Sequence, residues 1–126
     1  MVIQNETVKN LIDKYGDDLY RFAFILTCSD EGAASLLAAS FSNLEGEKKF
    51  TEDETENRLM MLSEIYKNAA LYQKVTDVAA LKEKYGDKGD EFYTFLSKPV
   101  YDKALVHLTL YEDLTEAEAK EVIKKK

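Results

Sequence analysis

Between Thr7 and Leu26 apolar residues return every three or four positions: Val8, Leu11, Ile12, Tyr15, Leu19, Phe22, Ala23 and Leu26. That spacing lines them along one side of an α-helix but would scatter them over both faces of a strand, so it predicts one long amphipathic helix running through Gly16. An apolar stripe of this length has to be buried against other elements, and the rest of the chain also reads as helix. One proline and five glycines leave little turn punctuation, while Leu, Ala, Glu and Lys, all good helix formers, abound. The expected fold class is therefore all-α. With 126 residues, 45% hydrophobic, the chain is long enough for one domain with a core of its own, or for two small helical domains joined by a linker.

Further helices follow from period and caps. Ser29 or Asp30 can cap a second helix that carries Ala33, Leu36, Leu37, Phe41 and Leu44 on one face. "TEDE", Thr51 to Glu54, has the form of a capping box and predicts a third helix, with Leu59, Leu62, Ile65, Tyr66, Ala69 and Tyr72 as its apolar face. "TDVAALKEKYG" continues that helix or forms a short one stopped by Gly86, and "GDKGDE" after it is the best linker candidate. Ser97 and Pro99 then open a helix with Leu105, Leu108 and Tyr111 on its apolar face, and "TEAE", Thr115 to Glu118, is a second capping box. This divides the chain into a bundle over 1–85, a linker over 86–91 and a C-terminal helical hairpin over 92–126. The expected core of the bundle is Leu19, Phe22, Leu26, Leu36, Phe41, Leu62, Ile65 and Ala69.

The residues that carry chemistry are sparse. His107 is the one histidine and sits beside Leu105 and Leu108, which predicts a structural or partly exposed role rather than that of a general base or ligand. With one His and one Cys no transition-metal site of familiar spacing can be assembled within the chain, and no cofactor is expected. Cys28 reads as a small buried apolar residue at a helix end rather than a reactive thiol, since no His or Arg cluster stands near it in sequence. No phosphate-cradling glycine loop and no nucleophile elbow is present, so an enzyme is not expected. The formal charge of −7 argues against general affinity for nucleic acid, which depends on Lys and Arg displacing counterions from phosphates. No apolar run is long enough to cross a bilayer and no basic-then-apolar leader opens the sequence, so a cytoplasmic protein without a membrane partner is expected.

"LYRFAFILTCSDEGAASLLAASF" resembles the start of the N-terminal domain of extracytoplasmic-function sigma factors, small sigma-70-type subunits that direct bacterial RNA polymerase to promoters. In that family such a helix is followed by an acidic turn and a second helix of form A-E-D-L-x-Q-x-x-F, matched here by Ala33 through Phe41. "MLSEIYKNAALY" is similar to the family's W-L-x-x-I-A-R-N-x-x-x-D helix through Leu62, Ile65, Lys67 and Asn68. "LSKPVYDKALVHLTLYEDLTEAEAKEVI" is similar to its C-terminal L-P-x-x-x-R-x-V-x-x-L-x-Y-x-E-G-L-S-x-x-E-I-A segment. The resemblance covers most of the chain in order. It implies a sigma-region-two-like bundle joined to a truncated helix-turn-helix-like hairpin. A partner-docking helix would carry Ser35, Leu36, Ala38 and Ala39, and a degenerate promoter-facing helix would carry Met61, Lys67, Asn68 and Tyr72.

The departures from the family bear on function. Ser35 and Ala38 stand where the family has an acidic residue and a glutamine that grip the polymerase clamp, so the polar docking surface is weakened. Met61 replaces the tryptophan and Tyr72 the aspartate of the third helix, which undermines promoter capture. The family's turn glycine aligns with Lys124, and two lysines later the sequence stops before any recognition helix. Two functions follow as expectations. One is a degenerate sigma-like protein acting through contacts with RNA polymerase or a regulator, with weak or absent DNA binding. The other is a helical interaction module with no role in transcription. Leu110, Tyr111, Val122 and Ile123, left exposed by a shortened C-terminal domain, would favour self-association or a protein partner.

Overall fold

The computed structural model describes residues 5–46, 50–69, 78–86 and 89–124. Among them are seven α-helices and no strand: α1 (Glu6–Thr27), α2 (Asp30–Leu44), α3 (Glu54–Ala69), α4 (Val78–Tyr85), α5 (Asp90–Leu96), α6 (Val100–Leu110) and α7 (Glu116–Lys124). The all-α expectation holds among the described residues. No single helix among them is long and apolar enough to cross a membrane.

Helix α1 has nearly the predicted bounds. Asn5 caps it through Oδ1, which accepts from the amides of Thr7 at 3.0 Å and Val8 at 3.2 Å. Asn5 is also tied to the far end of α2: its amide donates to Glu45 Oε1, and its side-chain amide to the Glu45 carbonyl. At the other end Cys28 takes a left-handed conformation, φ 56°, and its N–H bonds back to the Phe24 carbonyl. Ser29 then caps α2, its Oγ accepting from Gly32 N at 3.0 Å. The chain turns through 118° between α1 and α2. Gly32 makes so tight a corner feasible, because a Cβ there would lie 2.9 Å from Thr27 Cβ.

Helix α3 starts later than its sequence pattern implies. Asp53 is the cap, its Oδ1 accepting from Thr55 N and Glu56 N, while Thr51 Oγ1 accepts from Asp53 N. Glu54, read as the reciprocal member of a capping box with Thr51, instead accepts from Lys14 Nζ at 2.8 Å and from the Tyr15 hydroxyl at 3.2 Å. Lys14 is also the main reason the Glu54 carboxyl is held below its usual range. The "TEAE" box forms in full: Thr115 N donates to Glu118 Oε1 and Glu118 N donates to Thr115 Oγ1.

In the C-terminal third, the expected hairpin is three helices. Gly86, φ 77°, ends α4 as predicted, and α5 begins at Asp90, inside the stretch expected to link. Ser97 was expected to open the helix at Pro99, but it closes α5: its hydroxyl donates to the Thr94 carbonyl, and Pro99 precedes α6 without a side-chain cap.

The buried residues form one core that joins both parts of the chain. Of the eight core residues expected in the bundle, Leu19, Phe22, Leu26, Leu36, Leu62, Ile65 and Ala69 are buried, and Phe41 is half-buried. Helix α6 packs on α1 and α7 packs on α3. Val122 and Ile123, expected to be exposed, are therefore buried, and Ser63 of α3 donates to the Val122 carbonyl at 3.1 Å. Leu108 is buried and Leu105 half-buried, whereas Leu110 and Tyr111 are 71% and 60% exposed. Tyr111 is the C-cap residue of α6, just past its last turn.

Candidate functional site

On α2 the stripe Ala33, Leu36, Ser40 and Leu44 is buried, at the three- and four-residue spacing of a face turned to the core. Leu36 therefore belongs to the core and is removed from the expected docking set. Ser35 and Ala38 stay exposed and Ala39 is half-buried, so these three share the side of α2 away from the core.

The expected promoter-facing set on α3 does not come together. Met61, Ile65 and Asn68 share one stripe and are buried with it. Asn68 locks α3 to α2: its amide nitrogen donates to Ser40 Oγ at 3.2 Å and to the Glu64 carboxylate at 2.7 Å, and its carbonyl oxygen accepts from Asn43 at 3.3 Å. An asparagine so engaged inside a helix pair satisfies buried polar groups and has no amide left to offer a base edge. Of the described members of the set only Lys67 is exposed; Tyr72 lies outside the described residues.

A charged corner that the sequence reading missed sits where α6 turns into α7. Glu112 is buried, its side chain 1% exposed. One carboxylate oxygen pairs with the Arg58 guanidinium of α3, and the other lies 3.2 Å from His107 Nε2. Arg58 also donates to the Glu112 backbone carbonyl. The His107 ring is stacked between Phe22 of α1, 5.0 Å between centroids, and Tyr111, 5.3 Å. Arg21 lies over the Tyr111 ring and Arg58 over the Tyr15 ring. The chain's two arginines thus converge on one turn. Burial alone pushes the Glu112 carboxyl up, but hydrogen bonds from His107 and Arg58 and their charges hold it below the usual carboxylate range.

Both carboxylate oxygens of Glu112 are engaged, so the corner works as a clamp between α6, α3 and α1. The only signal in the sequence was the closeness of His107 to Glu112. Arg58, 54 residues away from Glu112, could not be joined to them without the fold. Among the described residues no group of three or more His, Cys, Asp and Glu is placed to hold a metal ion. Compared with known proteins, the chain matches no family model, no curated protein and no solved structure.

Proposed function

We propose that the protein acts in bacterial transcription as a degenerate sigma-like protein, binding RNA polymerase or a transcription regulator through α2 rather than reading a promoter or catalysing a reaction. The observation that carries this reading is the contrast between two helices of the bundle. On α3, Met61 and Asn68 are spent on the core and on the contact with α2, so two side chains of the DNA-facing set have no free surface. On α2, Ser35 and Ala38 are exposed side by side on a face that the described residues leave open. Small side chains make that face flat, which suits close packing of a protein partner more than capture of an extended polyanion. The formal charge of −7 weighs the same way.

The test uses the full chain and purified core RNA polymerase, with Ala38→Glu as the variant, since a carboxylate on an exposed helical position blocks the docking face without touching Leu36. The expected result is saturable retention by polymerase or by a purified transcription regulator, lost in Ala38→Glu, with no promoter-specific initiation. Specific initiation from any promoter overturns the exclusion of promoter reading. Failure to bind either partner moves the protein to the second class, a helical interaction module outside transcription.

A further inference from the structure

Helix α6 buries a lysine. Lys103 is 2% exposed, and its Nζ donates to the Leu96 carbonyl at 3.1 Å and to Cys28 Sγ at 3.4 Å. No carboxylate pairs with it among the described residues, so its fixed neighbours are one carbonyl oxygen and one sulfur. Cys28 is the chain's one cysteine, held by a left-handed backbone at the corner between α1 and α2, and it is half-buried rather than sealed in. Its Sγ lies 3.6 Å from the same Leu96 carbonyl. The amine and the thiol are thus held in contact across 75 residues of sequence, by two elements that are both packed into the core.

We propose that Cys28 and Lys103 form a peroxide-sensitive pair that closes a reversible covalent link between α1 and α6. A hydroperoxide small enough to reach the half-buried sulfur oxidises the Cys28 thiol by two electrons to a sulfenic acid and is itself reduced, hydrogen peroxide giving water. The nitrogen lone pair of Lys103, after loss of a proton to solvent, attacks the sulfenyl sulfur. The S–N bond forms, the S–O bond breaks, and the hydroxyl leaves as a second water with a proton from the nitrogen. The sum is one thiol, one amine and one hydrogen peroxide giving one sulfenamide and two waters. Sulfenic acids condense in this way with a nearby nitrogen when no second thiol is at hand, and the chain has none. A thiol reductant returns both side chains. The link would fix the seam between the C-terminal helices and the bundle in an oxidising episode, independently of the function proposed above.

The test treats the full chain with hydrogen peroxide in thiol-free buffer and reads the intact mass and the proteolytic peptides. The expected result is a loss of two hydrogens and one linked peptide pair containing Cys28 and Lys103, both reversed by dithiothreitol. In Lys103→Met the linked pair should vanish and a sulfenic acid trappable by dimedone should take its place. The linked peptide is read on the unsubstituted protein, so the answer does not depend on whether Lys103→Met folds. The proposal is overturned by advance of Cys28 to sulfinic acid, by a disulfide between two copies with the Lys103 peptide unmodified, or by the same loss of hydrogens in Lys103→Met.

Discussion

The interface among α1, α2 and α3 and the seam that joins α6 and α7 to it are both buried, yet they are built from different materials. The first is an apolar stripe on each helix, Leu19 and Phe22 on α1, Leu36 on α2, and Leu62 and Ile65 on α3, with an amide network at Asn68 that reaches the half-buried Glu64 carboxylate. The second has apolar residues too, Leu108, Val122 and Ile123, but charged or titratable groups are set among them: His107, Glu112 and Lys103, with Arg58 reaching in from α3. Apolar packing is non-directional and tolerates small shifts. A buried carboxylate or ammonium must meet its partner or cost several kcal/mol, roughly, and so fixes one docking geometry. The difference teaches that the bundle is held by area and the C-terminal helices are held in register by specific pairs.

The largest effect that separates the two regions should come from the apolar side. Leu62→Ala removes a fully buried side chain at the centre of α3 and should lower unfolding free energy by about 2–5 kcal/mol. Phe41→Ala should cost less, since that ring is only half-buried. Urea denaturation followed by far-UV circular dichroism measures both, and an unchanged midpoint for Leu62→Ala would break the assignment of the bundle core.

Next in size is the clamp. Glu112→Gln keeps the shape but leaves Arg58 facing a neutral amide, and it should cost about 1–3 kcal/mol. Arg58 is 19% exposed and can recover some hydration, which keeps the cost below that of a fully sealed pair. The pH dependence sharpens the point. The Glu112 carboxyl titrates lower in the folded chain than in the unfolded one, because the hydrogen bonds and charges of His107 and Arg58 outweigh its burial. Its contribution to stability is therefore fully present above the unfolded value of about 4.3 and is lost as pH falls through the folded value. The unsubstituted protein should show an acid loss of stability below about pH 4.3 that Glu112→Gln lacks in part. Parallel acid unfolding curves for the two would remove Glu112 from the account.

Particular residues show what was legible in the sequence. The course of α1 could be read because its stripe repeats over five turns, and the box at Thr115 and Glu118 because both members are local. The burial of Val122 and Ile123 could not, since it depends on α3 lying beside α7. Lys103 was invisible for a further reason: one of its two partners is a backbone carbonyl, which carries no mark of side-chain identity. On α2, periodicity separates Leu36 from Ser35 and Ala38, but the family resemblance had placed all three in one docking set.

The smallest predicted effect returns to the two boxes, "TEDE" and "TEAE", which read alike and fold differently. At the second, Thr115→Ala should cost about 0.5–2 kcal/mol, because the hydroxyl serves the amide of Glu118. At the first, Asp53 does that work for Thr55 and Glu56, so Asp53→Ala should cost about the same as Thr115→Ala. Glu54→Gln should leave the start of α3 intact and loosen only the exposed contact with Lys14 and Tyr15. The physical reason is competition: a carboxylate at Glu54 has a lysine ammonium 2.8 Å away, a charged donor that outbids the neutral Thr51 amide, which already donates to Asn57 Oδ1. Amide exchange at Thr55 and Glu56 separates the cases. Faster exchange in Asp53→Ala and none in Glu54→Gln is expected, and the reverse would restore the register that the sequence pattern implies.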